Sequence, residues 1–132
     1  LNEVIATEEL LEEWIFDKQK AEVIFAVENG KEIGFALFFH NFSTFLGRAG
    51  IYLEDLFVKP EFRGKGYGKA FVSFYETYAK EHGCPFLRMD TNAKNQAARS
   101  LYQKLGYKEI GIVPCNFNGI EGISLVLLEK KL

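Results

Sequence analysis

The chain has 132 residues, of which 48% are hydrophobic and 15% aromatic, and its formal net charge is -2 at pH 7. This length and composition indicate one folded domain over residues 1–132 and exclude a disordered chain. The near-neutral charge argues against nucleic-acid binding, no apolar run predicts a membrane span, and two histidines with two cysteines give no metal-ligand spacing. We therefore expect a cytoplasmic protein without a metal, a membrane partner or a nucleic-acid partner.

The beginning of the chain predicts a short helix and a pair of strands. Thr7 is a suitable N-cap, and acidic residues follow it in the first turn of a helix that runs through Ile15. Apolar and β-branched residues then predict strands at Ala21–Val27 and Ile33–Phe39. Between them, Asn29-Gly30 is typical of a tight turn, so the two strands are expected to pair antiparallel.

The middle of the chain predicts a loop, a third strand and an amphipathic helix. Asn41–Gly50 contains glycines and small polar residues and is interpreted as a loop, whereas Ile51–Val58 predicts a strand that ends before Pro60. After a glycine-rich turn, a helix that ends near Gly83 carries apolar residues at helical spacing. These residues are Tyr67, Ala70, Phe71, Phe74, Tyr75 and Tyr78.

The last third of the chain predicts a strand, a helix and a closing pair of strands. Phe86–Asp90 is a short strand, and Asn95–Leu105 is a helix that stops at Gly106. Its inward residues are expected to be Ala97, Ala98, Leu101, Tyr102 and Leu105. Tyr107–Val113 and Ile120–Leu128 then pair around a turn at Asn116–Gly119. The order of elements indicates an α/β fold around a mixed sheet.

The segment Arg63–Lys69 lies between a predicted strand and a predicted helix and contains three glycines. Glycines at such a place let backbone N–H groups converge, and a helix N-terminus adds positive potential, so the segment is able to hold a pyrophosphate. Its spacing matches neither the P-loop nor the dinucleotide-binding pattern. A glycine-rich string alone is also compatible with an ordinary turn.

The string Tyr52–Val58, followed by the R-x-x-G-x-G pattern that ends at Gly68, resembles the acetyl-CoA motif of the GNAT superfamily of N-acetyltransferases. Leu53-Glu54-Asp55 and the upstream Asn41–Thr44 resemble the spermidine/spermine (diamine) acetyltransferase branch. A second motif, Asn95–Ala98 with Leu101–Tyr107, follows, and the resemblance covers Ala21 to Leu128. The back half departs from that branch, because Ala93-Lys94-Asn95 stands where Trp-Asn-Glu is typical.

The resemblance implies a GNAT-like fold, with a mixed, mostly antiparallel central sheet flanked by helices. The family normally opens with a strand and a helix that this chain lacks, and the chain begins at Leu1 rather than Met. We therefore expect the start of the protein to be missing. The family resemblance also implies a homodimer.

The resemblance further implies acetyl-CoA as co-substrate, with no metal, and assigns a role to each matching residue. Tyr102 matches the general acid, and Glu54 matches the residue that draws the proton from the amine, directly or through water; with Asp55 it would bind the acceptor. Lys104 would reach a CoA phosphate. The remaining cofactor-binding residues would be Leu56, Phe57 and Val58, then Arg63, Gly64, Lys65, Gly66, Tyr67, Gly68 and Lys69, and finally Asn95 and Ala98.

Simpler interpretations exist for several of these residues. Tyr102 lies on the apolar stripe of its helix and is compatible with a core position, and alternation along the strand sends Glu54 and Asp55 to opposite faces. His40, at a strand end, and His82 are explained structurally. Both cysteines, Cys84 and Cys115, are expected to be inert packing residues.

The leading functional hypothesis is therefore direct acetyl transfer, in a ternary complex, from acetyl-CoA to a primary amine. An acidic cleft would favour a small cationic acceptor, such as a polyamine or a lysine-like amine. One alternative is a protein acetyltransferase that acts on N-terminal amines or lysines. A non-catalytic acyl-CoA-binding module is an alternative of another class.

Overall fold

The computed structural model describes the backbone of residues 5–117 and 120–132, and the side chains of these except 115–117 and 120–123. Its helices are α1 (Glu8–Glu12), α2 (Tyr67–Glu81) and α3 (Gln96–Lys104). Its strands are β1 (Glu22–Glu28), β2 (Lys31–Ser43), β3 (Arg48–Val58), β4 (Phe86–Asn92), β5 (Lys108–Phe117) and β6 (Ile120–Lys131). The strands form one sheet in the order β1-β2-β3-β4-β6-β5, in which only β3 and β4 run parallel. The predicted mixed, mostly antiparallel sheet and its element order are confirmed.

The N-terminal elements follow the sequence prediction closely. The Thr7 hydroxyl accepts a hydrogen bond of 3.2 Å from the backbone N–H of Leu10 and so caps α1, which continues as a π-helical turn over Glu13–Asp17. Between β1 and β2, Asn29 and Gly30 both have positive φ, at 51° and 76°, as a tight hairpin turn requires.

The predicted loop at Asn41–Gly50 is wrong for most of its length. Strands β2 and β3 continue through it, and Phe42 pairs with Ala49 and Ser43 with Arg48. Only residues 44–47 form the connecting turn. Pairing with a neighbouring strand satisfies the backbone groups here, and it outweighs the weak strand propensity of the polar residues. His40 consequently lies inside β2 rather than at a strand end.

Helix α2 covers one face of the sheet and supplies much of the core. Its buried residues are Phe71, Val72, Tyr75 and Ala79, and they pack against buried strand residues such as Phe38, Leu53 and Met89. The buried face of α2 is therefore rotated relative to the predicted apolar stripe, because Ala70 and Phe74 are exposed while Val72 and Ala79 are buried. Phe74 lies at the margin of the interface, where its ring packs edge-on against that of Tyr75 at 5.4 Å.

The last elements confirm the predicted helix and the closing strand pair. Gly83 and Gly106, after α2 and α3, have φ of 68° and 95°, the left-handed conformation that ends helices. Strands β5 and β6 pair antiparallel from Lys108↔Glu129 to Phe117↔Ile120. The predicted turn at Asn116–Gly119 falls partly outside the described residues.

One irregularity of the sheet creates an opening. The parallel strands β3 and β4 pair only from Ile51↔Leu87 to Leu53↔Met89. Beyond this point β3 pairs only with β2, and β4 pairs only with β6. The two strands therefore diverge beyond Leu53 and Met89, and we call this divergence the fork.

Candidate functional site

A cleft of about 870 Å³ lies at the fork, bordered by β3, β4, the glycine-rich turn, the N-terminal turn of α2 and one side of α3. It is within the size range of small-molecule and cofactor sites. Most of the residues predicted from the sequence line it. They are Glu54, Asp55, Leu56, Phe57, Val58, Arg63, Gly64, Gly66, Tyr67, Gly68, Lys69, Asn95, Ala98 and Tyr102.

Two of the predicted residues do not line the cleft. Lys65 points its ammonium group toward the ring of Phe62, 5.3 Å from the ring centroid. Lys104, in the last turn of α3, is exposed. A long lysine side chain is able to reach from either position toward the outer end of a bound ligand.

The N-terminus of α2 is suited to bind an anion. Its N-cap is Gly66, which provides no side-chain hydrogen bond, and the first turn contains no acidic residue. Helix α1, by contrast, is capped by Thr7 and begins with two glutamates. The first backbone N–H groups of α2 therefore have no side-chain cap, and this positive end of the helix dipole borders the cleft.

The two glycines of this turn explain its shape. Gly64 and Gly66 have φ of 77° and 87°, which L side chains rarely adopt. A Cβ atom built on either residue meets no atom of the described chain within 4 Å. The space beside the backbone is therefore open at both glycines.

Two polar side chains of the cleft have structural tasks. The Arg63 guanidinium donates a hydrogen bond of 2.8 Å from Nε to the carbonyl of Val58, the last residue of β3. The Asn95 side chain accepts a hydrogen bond of 3.1 Å from the N–H of Ala98 and caps α3. Both contacts hold elements that border the cleft.

Glu54 and Asp55 both line the cleft, as do all residues from Leu53 to Val58, and the strand register is irregular at this point. Asp55 pairs with Leu37 and Leu53 with Phe38, so Glu54 is an extra residue in a β-bulge. A bulge disrupts the regular alternation of side chains and often lies next to an active site. The sequence alone gave no sign of this bulge, because it depends on the register with β2.

Asp90 is a residue of the cleft that the sequence analysis did not select. It lies on β4 just beyond the last pair with β3, and its carboxylate accepts a hydrogen bond of 2.6 Å from the Tyr52 hydroxyl. The available signal was an acid near the end of a short apolar strand. The parallel pairing of β3 with β4, which brings Asp90 beside Glu54, could not be predicted from the sequence.

The acidic residues affect one another and the tyrosines. Partial burial raises the pKa of the Glu54 carboxyl, and the negative charges of Asp90 and Asp55 raise it further. Burial also raises the pKa of Tyr102, with a smaller contribution from Asp90. Glu54 is therefore a stronger base than an ordinary glutamate, and Tyr102 keeps its proton at neutral pH.

Tyr102 is placed at the border between core and cleft. Its ring packs against the core and lies 6.3 Å from that of Tyr107, yet the residue also lines the cleft. Within the part of the chain that the structure describes, its hydroxyl makes no hydrogen bond. It is thus available to a molecule bound in the cleft.

The remaining candidates lie elsewhere. Cys84 is buried, and burial raises the pKa of its thiol, which fits an inert packing residue; the side chain of Cys115 is outside the described set. His82 contacts the carbonyl of Tyr78 through Nδ1 at 2.8 Å, at the end of α2.

Among the described residues, no cluster of three or more potential metal ligands occurs. None of the described helices has the length and apolar composition of a membrane-spanning helix.

The sequence and fold match known acetyltransferases. Residues 2–107 match the family model described as Acetyltransferase (GNAT) family. The chain is 38% identical over 78 residues to thialysine N-epsilon-acetyltransferase of Bos taurus, over 59% of this chain and 45% of that protein. It is 33% identical over 84 residues to a D-amino-acid N-acetyltransferase of Saccharomyces cerevisiae, over 64% of this chain and 52% of that one. The chain thus spans about half the length of these relatives.

Solved structures share the fold. A ribosomal-protein-alanine N-acetyltransferase from Brucella melitensis superposes with a TM-score of 0.80 at 22% identity, over 99% of this chain and 82% of that one. A GNAT family acetyltransferase from Elizabethkingia anophelis, solved with acetyl-CoA bound, gives a TM-score of 0.74 at 22% identity, over 96% and 84% of the two chains. At these identities, the similarity establishes the architecture.

Proposed function

Because the chain belongs to the acetyltransferase (GNAT) family, we propose that it transfers the acetyl group of acetyl-CoA directly to a primary amine, and that the best acceptors are small and cationic. The observation that carries this proposal is the charge distribution along the cleft. Arg63, Lys69 and the N-terminus of α2 lie at one end, and Glu54 and Asp90 lie at the fork. One end suits a pyrophosphate and the other an ammonium group.

Acetyl-CoA fits this arrangement as co-substrate. The open N–H groups of the turn at Gly64 and Gly66 would hold its pyrophosphate. The edge of β3 at Leu56–Val58, which lacks a strand partner on its β4 side, offers backbone groups to the pantetheine arm. The thioester would then lie at the fork, next to Glu54 and Tyr102.

The proposed reaction needs a proton acceptor for the amine and a proton donor for the thiolate. An alkyl amine with a pKa near 10.4 is mostly protonated at pH 7, and its deprotonation costs about 4.6 kcal/mol. Glu54 accepts this proton, directly or through water, and the free amine nitrogen attacks the thioester carbonyl carbon. The C–N bond forms, the C–S bond breaks, and Tyr102 donates its proton to the departing CoA thiolate. The amide nitrogen releases its surplus proton to solvent, Glu54 returns its proton to solvent, and Tyr102 is reprotonated from solvent.

The nature of the relatives supports a small amine acceptor. The sequence relatives named above are acetyltransferases of thialysine and of D-amino acids. Three acidic side chains, those of Glu54, Asp55 and Asp90, line the acceptor end of the cleft. They would attract di- and polyamines or lysine-like amines and disfavour acidic amino acids.

Product analysis tests the proposal. The protein would be incubated with acetyl-CoA and a panel containing diamines, spermidine, lysine, glutamate and peptides with free N-terminal amines, and the products measured by mass spectrometry. We expect monoacetylated cationic amines. A preference for peptides would favour a protein acetyltransferase, and tight CoA binding without any product would favour a non-catalytic acyl-CoA-binding module. Glutamate as the best acceptor would contradict the acidic-cleft argument.

We also propose that the enzyme is a homodimer in the cytoplasm. The supporting observation is that β5, an edge strand of the sheet, exposes three large apolar residues among its described side chains, Ile110, Ile112 and Val113. Ile110 is 51% exposed and Ile112 is 64% exposed. Exposed apolar residues on a strand edge favour association with a second chain.

A further inference from the structure

The strongest feature that the proposed reaction leaves unused is the hydrogen bond between Tyr52 and Asp90. The Tyr52 hydroxyl donates to Oδ2 of Asp90 over 2.6 Å, across the two parallel strands. The Tyr52 ring is held in turn by the ring of Phe39, stacked at a centroid distance of 5.2 Å. The Asp90 carboxylate therefore has a fixed orientation.

The position of Asp90 relative to Glu54 follows from the strand register. The last paired residues of β3 and β4 are Leu53 and Met89. Glu54 and Asp90 are the next residues on each strand, and thus the first on either side of the fork. Both line the cleft. Two carboxylates consequently face the point where the strands separate.

Few positive charges compensate these carboxylates. The positive charge of Arg88 lowers the pKa of the Tyr52 hydroxyl, but burial and Asp90 raise this pKa more strongly. Its guanidinium, however, is bound to Glu129 at 2.7 Å and lies 4.5 Å from the ring centroid of Phe86. The groups that act on Glu54 itself are Asp90 on β4 and Asp55 on β3.

We propose that Asp90, oriented by Tyr52, is a positioning residue for acetyl transfer: it places a fixed negative charge opposite Glu54 that draws the ammonium group of the acceptor onto Glu54. This inference rests on the proposed function. Two carboxylates at one site disfavour ionisation of the second, which is why Asp90 raises the pKa of Glu54 and makes it a better proton acceptor. The hydrogen bond from the Tyr52 hydroxyl holds the Asp90 carboxylate in this position.

The test uses four variants of the full chain. Asp90→Asn removes the charge and keeps the shape, Asp90→Glu keeps the charge, and Tyr52→Phe removes only the orienting hydroxyl. Glu81→Gln, at the far end of α2 from the cleft, is the control for a lost surface carboxylate. Each variant is checked by thermal unfolding, and kcat and KM for spermidine are measured across pH.

We expect Asp90→Asn to raise the KM for spermidine about tenfold to hundredfold, the effect of losing one charged contact. The acidic limb of the kcat/KM profile should move to lower pH, because Glu54 then loses the neighbouring charge. Asp90→Glu should keep the KM for spermidine and the acidic limb closer to those of the wild type than Asp90→Asn does. Tyr52→Phe should change both in the same direction as Asp90→Asn but less. Glu81→Gln should match the wild type.

A second measurement does not depend on activity. The pKa of the Glu54 carboxyl, followed by NMR titration, should fall in Asp90→Asn. If no amine were acetylated, the proposed function would fail, while this titration would still test the coupling of the two carboxylates. An unchanged Glu54 pKa would overturn the proposal, as would an unchanged profile and KM. Complete loss of the acidic limb in Asp90→Asn but not in Glu54→Gln would overturn it too, since Asp90 would then be the base.

Discussion

The Tyr107 hydroxyl donates a hydrogen bond of 2.9 Å to Oε1 of Glu76, which joins the residue before β5 to the middle of α2. The same carboxylate oxygen accepts a hydrogen bond of 3.1 Å from the Lys130 ammonium group, which also reaches the carbonyl of Leu105 at 2.9 Å. Glu76 thus links α2, β6 and the end of α3. These contacts hold together the two helices that border the cleft.

Replacing Glu76 should destabilise the protein. Glu76→Ala leaves the hydroxyl of the buried Tyr107 and the ammonium group of Lys130 without this partner, and the expected loss is about 1–3 kcal/mol of unfolding free energy. Urea unfolding followed by circular dichroism measures it. The matched variant Glu81→Ala, on an exposed part of the same helix, should lie within about 0.5 kcal/mol of the wild type. Equal stability of both variants would show that the network contributes nothing.

A side chain at Gly66 should weaken binding of CoA. Gly66→Ala places a methyl group in the open space beside the backbone N–H groups, and the loss of one charge-assisted hydrogen bond corresponds to about tenfold or more in Kd. Gly83→Ala is the matched control. Gly83 also has positive φ and open space around it, but it lies at the other end of α2. Gly83→Ala therefore introduces the same backbone strain as Gly66→Ala without placing a methyl group beside the proposed pyrophosphate site. Calorimetric titration with CoA compares them, and equal affinities would exclude this pyrophosphate site.

Removing the Tyr102 hydroxyl tests its role as general acid. Tyr102→Phe should lower kcat by about 10²–10⁴-fold, the usual contribution of such a group, while the KM for acetyl-CoA changes little. The ring and its packing are retained in this variant. A kcat above half the wild-type value would mean that Tyr102 serves only the core.

The pH profile tests Glu54. A base must be deprotonated, so kcat/KM falls as the pH falls through the Glu54 pKa. Because the carboxyl is partly buried and near Asp90 and Asp55, this acidic limb should lie above the range of an ordinary glutamate, about 4.3. Glu54→Gln should remove the limb and raise the KM for a cationic acceptor. It should also flatten the salt dependence, since screening acts over about 8 Å at physiological ionic strength. Retention of both profiles would contradict the assignment.

The oligomeric state can be measured directly. Light scattering at micromolar concentration should give twice the monomer mass of 15.1 kDa. Ile112→Lys, on the exposed edge strand β5, should shift the protein toward the monomer because it places a charge in an apolar contact. A monomeric wild type would rule out the proposed dimer.

The sequence predicted well those features that local chemistry determines. Asn29-Gly30, Gly83 and Gly106 all adopt the positive φ for which glycine or asparagine is suited. The features that it missed depend on contacts between distant residues. The bulge at Glu54 arises from register with β2, and Asp90 gains its place through Tyr52, 38 positions earlier in the chain. No local pattern encodes either relationship, and the same holds for the strand pairing through Asn41–Gly50.

The fork has a consequence for the protein without its co-substrate. Most sheet proteins keep unpaired backbone groups at the outer edges of the sheet. Here β3, an inner strand, also has no strand partner on its β4 side beyond Leu53, so the sheet has an additional edge in its interior. A pantetheine arm bound along Leu56–Val58 would occupy this inner edge as a strand does. The co-substrate would then act as a seventh, exchangeable strand, and each turnover would close and reopen the sheet.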